Sequence, residues 1–227
     1  MPHRKKHTMR WLRSILAVVL SCLLLCSLLC LYVLHVLERT VVETNTALTA
    51  YVQKSVDTRL EELHRYSTTI EITHANTLLK NLRELPGTLP AQAYQLSVTL
   101  RDFLVTNKLA RGVYLYYPRT GLVVGNMGCF EAASYYALQG VPQREGYDAW
   151  LAELTKSHDT RFMLLQMPKD ERLCYVREMR MTGEIAAVVV IEIDREELLR
   201  AFDAAGLPGD SATGVLLDGQ LVAATGN

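Results

Sequence analysis

Charged residues are absent from one long stretch near the N-terminus. From Ser14 to Leu37 the chain contains no Asp, Glu, Lys or Arg. At about 1.5 Å per residue, a helix of this length crosses the roughly 30 Å hydrocarbon core of a bilayer. The stretch therefore predicts a transmembrane helix over residues 14–37, preceded by a short tail of residues 1–13.

A cleavable export signal is the main alternative to a permanent membrane anchor. The apolar core of a signal peptide usually covers about 7–15 residues and ends at a small-residue cleavage site. The present run is longer, and Leu37-Glu38 offers no such site. Cys22 follows residues that faintly resemble a lipoprotein processing site, but the residues after it stay apolar. We therefore favour an uncleaved anchor.

Acidic residues are absent from residues 1–13, whereas Lys and Arg are frequent there. Basic flanks of membrane helices stay in the cytoplasm, so the sequence predicts a cell-membrane protein with a cytoplasmic N-terminus and extracytoplasmic residues after 37. Beyond the tail, 19 Lys and Arg stand against 24 Asp and Glu. Such a mildly acidic surface is a poor match for nucleic acid, and we expect these residues to bind none.

Cysteine is scarce in the part of the chain outside the membrane run. Only Cys129 and Cys174 occur there. An extracytoplasmic compartment permits a disulfide between them, and the sequence leaves that pairing open. Cys22, Cys26 and Cys30 recur every four residues on one face of the membrane helix. Small polarizable residues pack well in such helices, so we interpret these three as packing or dimer-interface residues rather than metal ligands.

Glycine and proline are absent from residues 38–84. Apolar residues recur there at spacings of three, four or seven with charged residues between them, which predicts an amphipathic extracytoplasmic stalk helix over 38–84. The β-branched stretch 67–73 has weak helix propensity, and we predict any break there. Because the heptad spacing is imperfect, a stalk packed on a domain is favoured over a free coiled coil.

The pattern of apolar residues changes after the stalk, and residues 85–205 are predicted to form one domain. A helix is expected at 91–109, an irregular stretch at 127–146, and further helices at 147–155 and 195–205. The predicted strands are 112–117, 122–125, 161–167, 173–180 and 185–194.

A second, smaller part is predicted for residues 206–227. Two short apolar runs flank Asp218-Gly219, which is a strong hairpin signal. Because an isolated hairpin is only marginally stable, we expect residues 206–227 to begin an incomplete membrane-proximal subdomain. The reading frame is then expected to continue beyond Asn227.

No catalytic fingerprint occurs in the sequence, which has no HExxH, GxSxG, phosphate loop, dinucleotide-binding glycine motif or CxxC. Gly209-Asp210-Ser211 resembles a hydrolase serine only superficially, because it lies in a loop without a convincing histidine partner. The histidines are scattered along the chain. We therefore predict no enzyme activity, no catalytic residue, no metal and no cofactor.

Tyrosine and tryptophan are concentrated in residues 114–150. In strand 112–117, the alternation of side chains places Tyr114 and Tyr116 on one side of the sheet. Aromatic side chains with one polar end make suitable walls for small-ligand pockets, although core packing is the alternative for each of them. From this concentration we predict a ligand site that includes Tyr114, Tyr116, Tyr136 and Trp150.

The order of these elements resembles the double Cache (tandem PAS-like) extracytoplasmic sensors of bacteria. The stretches that carry the resemblance are NTALTAYVQKSVDTRLEELHRYSTTI, GVYLYYPRTGLVVG, YDAWLAEL, IAAVVVIEIDREELL and TGVLLDGQLVAA. The resemblance implies an α+β fold, in which an N-terminal transmembrane helix and a long stalk helix pack on a PAS-like antiparallel sheet. It also implies a small-molecule ligand and a membrane-bound homodimer.

Among such sensors, the chain looks most like the N-terminal half of membrane-bound AraC-type transcriptional regulators of Gram-positive bacteria. Sensor histidine kinases carry similar halves, and a stand-alone membrane-tethered binding or dimerisation module is a further alternative. In the first two cases the resemblance implies that DNA binding or kinase activity belongs to a separate output domain.

Amino-acid-binding Cache sensors carry a Tyr-x-x-x-Arg-x-Trp-Tyr motif in this region and an Asp in the last strand. This chain keeps Trp150, but has Asp148 at the Arg position, Leu151 at the final Tyr and Glu192 at the Asp position. Loss of the Arg removes the planar group that would hold a carboxylate. The resemblance thus adds Asp148 and Glu192 to the predicted site, with a neutral or cationic ligand, such as a sugar, favoured over an amino acid.

Overall fold

The computed structural model describes residues 3–82, 91–141, 144–156, 160–203, 213–217 and 220–225. Two features discussed above lie outside these ranges. They are the Gly209-Asp210-Ser211 loop and the Asp218-Gly219 turn.

The longest element is helix α1 (His3–Glu71). The chain divides into two compact units, and the division falls within this helix. The first unit is Met1–Tyr51 and the second is Val52–Asn227. In the first unit, large apolar side chains between Leu16 and Leu37 are exposed. Among the described residues, α1 is the one helix long and apolar enough to cross a membrane. A continuous apolar surface of this kind is stable in lipid rather than in water.

In the second unit, α1 ends at Glu71, inside the stretch where a break was predicted. Thr73 then caps helix α2 (His74–Lys80), because its hydroxyl accepts a hydrogen bond from the backbone N–H of Asn76. The buried Asn76 amide donates to the carbonyl of Ile70 at 3.1 Å. This bond satisfies one of the carbonyl groups that a helix end leaves unpaired. Helix α3 (Ala91–Thr106) follows.

Six strands form one antiparallel sheet in the order β3-β2-β1-β6-β5-β4. The strands are β1 (Ala110–Tyr117), β2 (Leu122–Gly125), β3 (Gly128–Glu131), β4 (Thr160–Gln166), β5 (Glu171–Met181) and β6 (Glu184–Ile193). The central strand β6 carries a continuous apolar run, which is typical of a strand that is buried on both faces. The remaining elements are α4 (Ala132–Leu138), α5 (Arg144–Thr155), α6 (Arg195–Asp203) and the paired strands β7 (Thr213–Leu217) and β8 (Gln220–Thr225).

Both faces of the sheet are apolar, and different helices cover them. On one face, here called the stalk face, Leu115 and Tyr117 join a core that includes Leu63 of α1 and Leu100 of α3. The opposite face, here called the aromatic face, carries Tyr114, Tyr116, Val188 and Val190 in a core shared with α4 and α5. The predicted alternation of side chains along β1 is therefore confirmed.

Strand β3 and helix α4 correct the prediction of an irregular stretch over 127–146. A strand of four residues and a helix of seven are too short to show a clear period in the sequence. β3 pairs with β2, and α4 follows it directly. The omission matters because α4 carries two tyrosines to the aromatic face.

Cys129 and Cys174 are both free, and their positions exclude a disulfide between them. Cys129 lies on the edge strand β3 and Cys174 on β5, four places along in the sheet order. At about 4.8 Å per strand, that separation is roughly 19 Å. A disulfide requires Cα atoms within about 7 Å, so the pairing that the sequence left open does not occur.

Candidate ligand-binding site

Six aromatic side chains pack together on the aromatic face around Trp150. The centroids of the five tyrosine rings lie 5.4–6.4 Å from the centroid of the Trp150 ring. Trp150 itself is only 1% exposed. These residues, called the aromatic cluster below, are Tyr114, Tyr116, Tyr135, Tyr136, Tyr147 and Trp150.

Three elements build the aromatic cluster. Strand β1 contributes Tyr114 and Tyr116, which share a face because they are two residues apart. Helix α4 contributes two adjacent buried tyrosines, Tyr135 and Tyr136. Helix α5 contributes Tyr147 and Trp150, which lie one above the other because they are three residues apart on a helix.

Close packing fixes the polar ends of the aromatic cluster. The indole N–H of Trp150 donates to the hydroxyl of Tyr114 at 3.3 Å. A Cβ atom at Gly146 would lie 2.6 Å from the hydroxyl of Tyr136, so a glycine is needed where α5 meets this tyrosine. Burial raises the pKa of Tyr114 and of Tyr135 well above the usual value, and the nearby Glu192 carboxylate raises both further. Both hydroxyls therefore stay protonated at neutral pH.

An ion pair between Arg172 of β5 and Glu192 of β6 lies on the same face. The guanidinium donates to the carboxylate at 2.8 Å, and the two side chains are 12% and 8% exposed. It also donates to Asp170 at 2.9 Å and to Gln139 at 3.0 Å. Burial by itself lowers the pKa of Arg172, but the charges and hydrogen bonds of Glu192 and Asp170 outweigh it and raise the pKa. The guanidinium is therefore held charged.

Glycine makes room for the Glu192 carboxylate. Gly112 of β1 is the register partner of Glu192, and a Cβ atom there would lie 2.9 Å from the carboxylate oxygen. On the other side of β6, Cys174 of β5 is the register partner. Burial raises the pKa of the Cys174 thiol well above its usual value, and Glu192 raises it further. A neutral thiol and a glycine thus flank the carboxylate.

A cavity of about 540 Å³ opens beside the Arg172–Glu192 pair. This volume lies within the range of roughly 300–1,000 Å³ that is typical of small-molecule sites. Its walls carry charges of both signs, and more of their surface is polar than apolar. The lining residues are Arg111, Asp170, Glu171, Arg172, Leu173, Glu192, Ile193, Asp194, Arg195 and Glu196.

The predicted site residues fall into three groups. The first group, in the aromatic cluster, is Tyr114, Tyr116, Tyr136 and Trp150. Glu192 lies on the same face and also lines the cavity. Asp148 is exposed on α5 and points away from the buried side of that helix. The structure therefore brings five of the six predicted residues to one face and leaves Asp148 outside it.

Arg172 is the functional candidate that the sequence argument missed. It lies 20 residues before Glu192, and only the pairing of β5 with β6 brings the two together. The available signal was an arginine directly before the buried run of β5, on the side that Cys174 and Val176 also face. A guanidinium, absent at Asp148 of helix α5, is thus present on strand β5 instead.

No protein-family model matches the chain, and no curated protein matches it significantly. The extracellular domain of a protein described as a histidine kinase aligns with a TM-score of 0.54 and 14% identity, over 83% of this chain and 71% of that one. The sensory domain of a Campylobacter jejuni chemoreceptor with isoleucine bound aligns with a TM-score of 0.41 and 16% identity, over 79% and 71%. A domain of a sensory box/GGDEF family protein from Vibrio parahaemolyticus aligns with a TM-score of 0.43 and 8% identity, over 65% and 57%.

The first of these likenesses confirms the predicted fold class, which is an α+β, PAS-like fold with a six-stranded antiparallel sheet. At 14% identity it establishes the architecture alone. The relation to AraC-type regulators is not shown by these comparisons.

Proposed function

We propose that this chain is the extracytoplasmic, small-molecule-sensing region of a membrane-anchored signal transduction protein, without enzyme activity of its own. The observation that carries the proposal is the buried Arg172–Glu192 pair at the wall of an open cavity, beside the aromatic cluster. A buried ion pair contributes little net stability, because desolvation offsets the attraction between the charges. Such pairs in clefts are therefore candidates for ligand recognition.

The ligand that these charges fit is a small polar solute with a cationic group, an anionic group or both. Arg172 can bind a carboxylate through two parallel N–H bonds, while Glu192 and Asp170 can accept from an ammonium group. The preference for a sugar over an amino acid depended on the missing arginine at Asp148. Because Arg172 supplies a guanidinium on the aromatic face, we withdraw that preference and include amino acids among the candidate ligands.

A stand-alone interaction module is the second candidate function, and one observation favours it. The aromatic cluster is filled by its own side chains, as the 1% exposure of Trp150 shows. In that case the aromatic residues are a packed core, and the predicted homodimer, through exposed residues such as Val41 on α1, is the function of the chain. Ligand-independent disulfide crosslinking of cysteines introduced at such positions would support this second function.

The output of the proposed sensor has two candidates. The sequence resembles the sensor halves of AraC-type regulators, and the fold is shared with the extracellular domain of a protein described as a histidine kinase. We propose that one of these outputs accompanies the sensor in the cytoplasm. A reporter enzyme that is active only outside the cytoplasm, fused after Asn227, tests the underlying topology. We expect the fusion to be active, and a fusion that is produced in full but inactive would contradict the arrangement.

The sensor proposal is tested by thermal unfolding of the full chain in detergent micelles. The panel contains amino acids, amines, carboxylates and sugars. A ligand at one hundred times its Kd stabilises the folded state by about 2.7 kcal/mol, so at least one class should raise the unfolding temperature. The proposal fails if no compound does so.

Matched variants locate the binding site. Arg172→Lys keeps the charge but removes the planar donor group, and we expect it to weaken the stabilisation. Arg119→Lys is the control, because Arg119 forms an ion pair of similar length with Glu184 outside the cavity. Equal loss of ligand stabilisation in both variants would place the binding elsewhere.

A further inference from the structure

Strand β5 presents different chemistry on its two faces. Arg172 faces the aromatic face and the ligand cavity, together with Cys174 and Val176. Tyr175 and Arg177 point to the stalk face, where they contact the C-terminal turns of α1. Because side chains alternate along a strand, one rigid segment joins the ion pair of the candidate site to the stalk helix.

The contacts between β5 and α1 are polar and partly buried. The guanidinium of Arg177 donates to Glu71 at 2.7 Å and to the hydroxyls of Ser67 and Thr68 at 3.2 and 3.0 Å. The side chains of Arg177 and Glu71 are 17% and 28% exposed. An ion pair with this degree of burial and three donor contacts holds its partners more firmly than an exposed pair does.

Tyr175 adds a second polar attachment on the same strand. Its hydroxyl lies 2.9 Å from Nδ1 of His64 and 3.3 Å from the hydroxyl of Ser67. The residues that connect the two elements, called the stalk latch below, are Tyr175 and Arg177 of β5 with His64, Ser67, Thr68 and Glu71 of α1. The stalk latch covers the last two turns of α1.

We propose that β5 couples the candidate ligand site to the stalk latch, so that a change in the Arg172–Glu192 pair alters how firmly the end of α1 is held. A ligand that recruits Arg172 or Glu192 weakens their hydrogen bond across β5 and β6 and lets β5 shift. Hydrogen bonds weaken steeply with distance and angle, so the same shift loosens the stalk latch. The inference rests on the proposed sensor function for its biological role, but the coupling exists without ligand.

Packing alone is the competing explanation for the attachment of α1. Leu63 and Ile70 of α1 are fully buried in the core of the stalk face. If these contacts hold α1 by themselves, the stalk latch is incidental and the two faces of β5 act independently. In that case the effects of substitutions at Glu192 and at Glu71 should be additive, as is usual for residues more than about 10 Å apart without shared partners.

Hydrogen–deuterium exchange of the full chain in detergent micelles separates the two explanations. The backbone amides of residues 64–71 are compared in wild type, Glu192→Gln, Glu71→Gln and the double variant. We expect Glu192→Gln to speed their exchange by more than about twofold, since local opening sets exchange rates in folded proteins. In the Glu71→Gln background, where the stalk latch is already weakened, the same substitution should have a smaller effect.

The control is Glu184→Gln, which removes an ion pair of similar length with Arg119 at the far end of β6. This variant should leave exchange of residues 64–71 unchanged. The proposal is overturned if Glu192→Gln changes exchange only in β5, β6 and α4, or if its effect on α1 is the same with and without Glu71. It is also overturned if Glu184→Gln speeds exchange in α1 equally.

A milder variant keeps the test valid if Glu192→Gln does not fold. Arg172→Lys retains a cation beside Glu192 but loses the fork of donors, and it should produce the same change in α1 to a smaller extent. Because exchange is measured without ligand, absence of coupling leaves the sensor proposal intact. Conversely, coupling without any stabilising ligand in the panel would retain the mechanical link and reject the sensor.

Discussion

Arg172 and Glu192 form a hydrogen-bonded ion pair of 2.8 Å between β5 and β6, although 20 residues separate them in the chain. Their side chains are nearly buried, and Asp170 holds the guanidinium from a second side. Charges removed from water in this way are costly unless each has its partner. The effect of removing one or both of these charges on the free energy of unfolding therefore tests whether the pair is buried and coupled as the structure shows.

Removal of Arg172 is expected to destabilise the fold more than removal of both charges. Arg172→Met leaves Glu192 buried without a cation and should lower the free energy of unfolding by about 3–5 kcal/mol. The double variant Arg172→Met/Glu192→Leu should recover most of that loss. Urea unfolding followed by tryptophan fluorescence measures both. Arg119→Met, which breaks a more exposed pair, should cost about 1 kcal/mol or less, and an equal cost at both sites would contradict the prediction.

Trp150 is expected to be the main packing residue of the aromatic cluster. Trp150→Ala leaves a cavity among five tyrosines and should cost about 3–5 kcal/mol, while Trp150→Phe should cost less. Tyr94→Ala is a suitable control, because Tyr94 is 73% exposed on α3 and should change stability by about 0.5 kcal/mol or less. Calorimetric unfolding of the full chain checks the order. If Trp150→Ala and Tyr94→Ala are equally stable, the aromatic cluster is not a packed core.

High pH is expected to destabilise the folded chain through its buried tyrosines. Burial raises the pKa of Tyr114 and Tyr135 well above the ordinary value of 10.0. Above about pH 10 the unfolded chain releases these protons while the folded chain retains them, so stability falls as pH rises. Below that pH the contribution is complete and constant. Each buried tyrosine should contribute a slope of about 1.4 kcal/mol per pH unit.

Phenylalanine substitutions test the alkaline slope. Tyr114→Phe and Tyr135→Phe should each reduce it by the contribution of one group, as measured by urea unfolding between about pH 9 and 11. Between pH 7 and 8 the stability difference from wild type should not vary with pH, which serves as the internal control. An unchanged slope in both variants would show that these hydroxyls ionise without unfolding.

Cys129 and Cys174 are expected to remain thiols in the folded chain. Burial raises the pKa of both thiols, but Cys174 is only 1% exposed, whereas Cys129 is partly exposed. An alkylating reagent should therefore modify Cys129 in the native protein and Cys174 only after denaturation, because a reagent must reach the thiol before it can react with the thiolate. Peptide mapping by mass spectrometry without reducing agent reads out both sites. A peptide that links residues 129 and 174 would contradict the sheet order.

The local features of this chain follow from its sequence alone. The uncharged run of residues 14–37, the end of α1 at Glu71 and the alternation along β1 are set by hydropathy and backbone propensity, which neighbouring residues determine. The same local logic explains the exposure of Asp148. On α5 the buried stripe consists of residues spaced by three and four, including Trp150 and Leu154, and Asp148 lies off that stripe.

Only the tertiary structure decided which distant segments meet. The partnership of Arg172 with Glu192 depends on β5 lying beside β6, and the separation of the two cysteines depends on β3 lying four places away from β5 in the sheet. The contribution of α4 to the aromatic cluster was hidden because a seven-residue helix has too few turns to show a period. Pairing between remote strands is selected by the packing of the whole core, whereas a local pattern specifies only an element and its two faces.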